Sequence, residues 1–576
     1  MTRPMIRKLA LAAAATTLVV SIGYALTQQT LPSDAGSSCA TSLTVPEFNS
    51  WFDAGFVSLN GAVKPADSVN FPDIPNCSFY KWSEQMFLWL TSPAPPRYGG
   101  GGGLIMNTSA FYDVTPPDSN GDRQFVPHSS GFIRAFTLRS SQKGLLDLSV
   151  VMEKDSFRLL EILPTVMSRE RRQMVADQNG NQLEVGSARR TTTGRPILFD
   201  RSGREIQGPR AILQPEFAKK IELLGAFDRS ELIQRITLDD QSVVSLDLFG
   251  NFPETEQGQA DGSVLMAQNG SLVYYALTVN NVFALYRTMQ GASVPPGTKF
   301  PVTQADLDAI TNFAALNGQP PVIDPEALAI EIKTSWIESS SLADASTFIQ
   351  MKATVPTYNT SNPNDWVQNG TKTTMLAMVG LHVVGSTGST NPSNNVNHGH
   401  PEMLWATFEH LSNGPAAAYN YTKTPSGTGT VPLNTVGDWL FSSNGSAGPF
   451  NQQHIALGAP GHLLPVPPFT ISPSDTRRER PWGLNGSAAL GNAEVISINN
   501  TVRSLLDPAD VRRNYFHEGT TWTIFGASPT AGNQVGTNKL SNSTMETYTQ
   551  GGNCFNCHGS NTTAVSHIFA ETEPLF

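Results

Sequence analysis

Five residues, Cys554-Phe555-Asn556-Cys557-His558, constrain the architecture of this 576-residue chain more than any other feature. Two thiols three positions apart, with an imidazole directly after them, form the attachment signature of c-type haem. The spacing has a chemical reason. Thiols about one helical turn apart reach the two haem vinyl groups as thioethers, and the next imidazole then lies under the iron as its proximal ligand. Chance would produce this string in about 5 of 10,000 chains of the same composition. A zinc site would require two further Cys or His ligands at matching spacing, and the sequence has no second Cys pair. A thioredoxin-like dithiol belongs in a βαβ context that the surrounding sequence lacks.

The position of the motif matters as much as its spacing. Eighteen residues follow His558, which leaves no room for a small cytochrome domain with a Met ligand well downstream. The pocket is therefore expected to be closed by residues before Cys554, with one covalent haem c built into the larger body. The sixth ligand is open. His567 lies nine residues after His558, and nine extended residues reach ~30 Å, enough to pass round a haem edge. Met545 lies nine residues before Cys554 and reads either as a ligand or as a core residue of a helix over 543–550.

The first residues carry a targeting pattern. Arg3, Arg7 and Lys8 precede an apolar run from Leu9 to about Val20, and Gly23 and Ala25 supply small residues at a cleavage site. Residues 1–25 are expected to be a signal peptide for general secretion, the alternative being an uncleaved anchor. That anchor is the one expected membrane contact, and the protein is expected to be periplasmic or secreted. In an oxidising compartment Cys39 and Cys77 are expected to form a disulfide, worth ~3–4 kcal/mol on the chain-entropy view. A formal charge of −10 excludes the basic field of a nucleic-acid binder.

The body reads as α+β: β-rich and turn-rich, with a mainly helical C-terminal haem-binding segment. Residues 26–48 look like a loose polar lead-in. Tyr80–Leu90 has apolar residues near helical spacing, and Thr303 caps a helix carrying Leu307, Ile310 and Ala314. A further helix is expected over 215–225. Ser271–Val279, Ala329–Ile337 and Met375–Val384 read as strands. The expected divisions are a β-rich body over 26–300, a mixed segment over 301–480 and a haem-binding segment over 481–576.

A second group of chemistry-bearing residues comprises His382, His398, His400, Glu402, Glu409 and His410. The His398-Gly399-His400 loop could bring two imidazoles to a metal, although one such pair in an Asn-rich loop is a weak signal. His382 and His410 fall on expected strands and read as satisfied core histidines. No nucleophile elbow, phosphate loop or HExxH zinc motif is present.

Several longer segments carry a resemblance. Asn514–Trp522, Ser543–Tyr548 and Cys554–His558, with Val379–His382, Trp405–His410 and Phe87–Pro93, resemble a family of large exported bacterial proteins described as cytochrome c family proteins. The resemblance extends along most of the mature chain through short motifs. It implies covalent haem on Cys554 and Cys557, His558 as iron ligand, export, and electron exchange with a redox partner protein. Two other functions are open: a haem-dependent oxidoreductase with an open iron position, since about 500 residues exceed what a carrier needs, and a haem-based ligand sensor.

Overall fold

The structure is a computed structural model. It describes residues 26–576 apart from 73–75, 100–102, 116–121, 130–132, 137–148, 155–156, 162–172, 191–195, 213–231, 238–242, 248–262, 296–297, 389–402, 458–460, 484–487, 524–533, 538–539, 541, 549, 551–554, 556–557, 559–565 and 567. The expected signal peptide over 1–25 and the helix over 215–225 lie outside the described residues.

The chain is a mixed α and β protein organised by antiparallel sheet. The main sheet contains β1 (Phe111–Val114), β2 (Phe125–Pro127), β3 (Tyr274–Asn280), β4 (Ile330–Glu338), β5 (Gln350–Asn359), β6 (Trp366–Gly385), β7 (Leu404–His410), β8 (Tyr515–Thr523) and β9 (Gln534–Gly536). Four short strands complete it: Arg134–Ala135, Ser263–Val264, Ile455–Leu457 and His462–Pro465. Its central path runs β2-β1-β3-β4-β6-β7-β8-β9, every neighbour antiparallel. The 20-residue β6 is shared: its first half pairs with β5 and its second half lies between β4 and β7. One sheet thus draws strands from all three stretches 26–300, 301–480 and 481–576. The described part of 481–576 supplies one long helix and two of these strands.

Among the described residues the α-helices are α1 (Val45–Trp51), α2 (Asn76–Leu90), α3 (Asn281–Met289), α4 (Gln304–Leu316) and α5 (Ala489–Leu505). The expected helix around Leu307 is α4. It opens on a capping box in which the Thr303 hydroxyl accepts from Asp306 N and the Asp306 carboxylate accepts from Thr303 N. The Trp-rich stretch is α2, buried along most of its length because it packs between one sheet face and α5. Phe87 stacks on Phe408 with centroids 4.4 Å apart, and Phe79 stacks on Trp522 at 3.9 Å.

Cys39 and Cys77 form the expected disulfide, which ties the first turn of α2 to the N-terminal lead-in. That lead-in is packed rather than loose. Leu31, Ala35, Cys39 and Leu43 are buried in the main core, and the amides of Thr27, Gln29 and Gly36 donate to Asp438, Leu411 and Thr422 carbonyls. The Cys39–Cys77 bridge and these backbone hydrogen bonds hold the segment on the core. Among the described residues no helix is long and apolar enough to cross a membrane.

Candidate functional site

The α2 helix covers one face of the central strands, and the chain after residue 540 covers the other. Strand register places three rows of side chains on this second face, because alternate residues of a strand point the same way. The first row is Glu331, Val384, Trp405 and Thr521. Next come Lys333, His382, Thr407 and Gly519, and then Ser335, Gly380, Glu409 and Phe516.

The segment leading to the Cys-x-x-Cys-His motif is pinned to these rows. Asn542 Nδ2 donates to Thr407 Oγ1 and to the Phe408 carbonyl, each at 3.0 Å. Both the amide and the hydroxyl of Ser543 donate to the Glu409 carboxylate. Thr544 Oγ1 lies 2.7 Å from Ser335 Oγ, and the Tyr275 hydroxyl donates to the Thr544 carbonyl. Glu546 meets His382 Nε2 at 2.9 Å. Gly380 permits this approach: a Cβ there would stand 2.7 Å from both Ser335 Oγ and Thr544 Oγ1.

Residues 543–548 run as consecutive turns and not as the expected helix. The Asn542 side chain accepts from both the amide and the hydroxyl of Thr544 as an N-cap would, and the Asn542 carbonyl accepts from Glu546 N, while the Ser543 amide and hydroxyl are drawn onto Glu409. Met545 is fully buried in this turn.

Phe555 and His558 lie against Trp405 of the first row. Phe555 is buried with its ring edge on Trp405, centroids 4.9 Å apart, and the half-buried His558 ring lies 6.0 Å from the same indole. Around them is an apolar cluster that includes Met403, Leu540, Phe283, Phe300, Ile568 and Phe569. Phe569 packs on Phe300 and Phe283 at 4.8 and 5.3 Å. Ser566 donates to Glu331, and buried Arg123 fixes the last residues through Glu571 at 2.7 Å. Cys554, Cys557 and His567 lie outside the described residues. The residues that are described fit a haem in kind: an imidazole at the edge of an aromatic, apolar cluster.

The second His group does not assemble among the described residues. His382 pairs with Glu546 on the motif-bearing face. His410 lies on the opposite face, stacked on Phe348 at 3.7 Å, with Nε2 against the Thr347 carbonyl. Burial pushes the His410 imidazole down to about 3, so it is a neutral core group. His398, His400 and Glu402 lie outside the described residues. Among the described residues no three His, Cys, Asp or Glu side chains form a metal-binding group.

Sequence reasoning missed the buried carboxyl pair of Glu409 and Glu518. Burial and the neighbouring Glu409 charge hold the Glu518 carboxyl well above its usual range, with the Arg478 charge opposing. Every residue of β7 and β8 is buried, so any acid in either strand needs such a partner. The available signal was Trp405-Ala406-Thr407-Phe408-Glu409, where period two aligns Trp405, Thr407 and Glu409.

Comparison with known protein families, curated proteins and solved structures finds no match for this chain.

Proposed function

We propose that this chain is an exported, periplasmic or secreted monohaem c-type cytochrome of the large bacterial kind its motifs resemble, exchanging single electrons with a partner protein. Cys554 and Cys557 are the thioether residues and His558 is the proximal ligand. The observation that carries the reading is the Cys-x-x-Cys-His spacing on a segment whose His558 and Phe555 lie against Trp405. Bound there, haem supplies a one-electron couple.

The chain's own residues do the rest. Trp405 and Phe555 exclude water from one side of the imidazole, which lowers the local dielectric around the ligand. Asn542, Ser543 and Thr544 fix the approach of the preceding segment to the sheet, and Trp405 of the sheet is the ring beside His558. His567 is the proposed sixth ligand, nine residues after His558.

The test is the visible spectrum, oxidised and reduced, with and without carbon monoxide, on protein made with haem c assembly machinery. A low-spin iron indifferent to carbon monoxide, converted to high spin by His567→Ala, supports an electron carrier closed by His567. A high-spin iron that binds carbon monoxide overturns the carrier reading in favour of a haem enzyme or sensor.

A further inference from the structure

Arg478 is 1 % exposed, and among the described residues neither its Nε nor its two Nη atoms has a hydrogen-bond partner. Its position is fixed by the backbone, which donates to Pro415 and accepts from Ala417 at 3.0 and 2.8 Å. The guanidinium lies over the rings of Phe516 at 4.4 Å and Trp482 at 5.4 Å. Such ring contacts offset part of the charge, yet they satisfy few of the five N–H donors. The acid whose upward shift the Arg478 charge opposes is the buried Glu518, and the two share no hydrogen bond. A buried cation left in this condition is costly to the fold unless something else pairs with it.

The surroundings say what kind of partner fits. Trp482 is fully buried with φ of 62°, a left-handed conformation that a bulky residue adopts only when its neighbours impose it. Its indole is thereby held over the guanidinium, and the buried Tyr419 ring meets it edge-on at 5.7 Å. The guanidinium fork matches two carboxylate oxygens in one plane, and aromatic walls favour a small organic anion over a strongly hydrated phosphate.

We propose that Arg478, framed by Phe516, Trp482 and Tyr419, is a binding site for a small carboxylate. This goes beyond the cytochrome reading, and only the second of its two sources rests on that reading. Two sources offer the same chemistry. One is a free organic acid. The other is a propionate of the haem, because the chain leading to Cys554 passes beside Arg478: Gln550 donates to the Arg477 carbonyl and accepts from the Glu479 amide.

The test is calorimetric titration of the full chain with acetate and with butyrate, chloride serving as control. It is done on the haem-matured protein and on its Cys554→Ala/Cys557→Ala form. One saturable carboxylate site is expected, raising the thermal midpoint by ~2–5 °C at saturation. Arg478→Met should weaken it at least ~10-fold, and Arg478→Lys, which keeps the charge but loses the fork, by about as much. Binding by both forms identifies a free acid, whereas binding by the haemless form alone identifies the haem propionate. Absence of saturable binding in both forms, or binding unchanged in Arg478→Lys, overturns the proposal even if Arg478→Met fails to fold.

Discussion

His382 Nε2 and the Glu546 carboxylate meet at 2.9 Å, joining the centre of the sheet to the segment that carries the Cys-x-x-Cys-His motif. Burial alone would raise the Glu546 pKa. The charge and hydrogen bond of His382, with Lys333 and the Asn542 amide, overcome that effect and hold it below the usual 4.5.

A carboxyl whose folded pKa is depressed contributes stability that is present above its unfolded value and lost as the pH falls through the folded one. The wild type should therefore lose thermal stability below about pH 4.5, with a steeper fall than Glu546→Gln. Thermal midpoints between pH 3 and 6 measure this. Parallel curves for the two proteins would show that the pair does not anchor the segment.

The opposite sign applies to the buried acids. Burial raises Glu84 to about 8, against the opposing charge of Arg503, and Glu518 is also raised. A carboxyl with a raised folded pKa favours the folded state while protonated. Stability should then fall as the pH rises from about 4.5 through 8. Glu84→Gln and Glu518→Gln keep the shape without the titration and should each flatten the decline between pH 5 and 9. An unchanged slope in both variants would place the alkaline loss elsewhere.

Gly380→Ala would drive a methyl group between Ser335 Oγ and Thr544 Oγ1, which lie 2.7 Å apart in a mutual hydrogen bond. The substitution should cost about 1–3 kcal/mol and expose the chain around residue 544 to protease before the rest of the fold opens. Denaturant unfolding and limited proteolysis report the two effects. A neutral, protease-resistant variant would mean that the close approach is unimportant.

The local elements were legible in the sequence. The strand alternation around Ala329–Ile337 appears as β4, the Thr303 cap starts α4, and Cys39 and Cys77 pair as their isolation from the other two cysteines led one to expect. The polar face was not legible. Ser335, Gly380 and Glu409 become neighbours only through strand register, a relation that no local period carries. The turns at 543–548 have the same origin, because Glu409 and Ser335, which hold Ser543 and Thr544, are brought there only by strand register. Glu518 and Arg478 looked like ordinary charges, and only their burial marks them.

The central claim is covalent haem at the motif, and the most direct measurement is the intact mass of the full chain matured by haem c assembly machinery, read beside a haem stain on a denaturing gel. Wild-type protein should carry the mass of one haem and keep the stain after denaturation, whereas Cys554→Ala/Cys557→Ala should show neither. A wild-type chain with no added mass, or a stain that survives loss of both cysteines, would contradict the assignment.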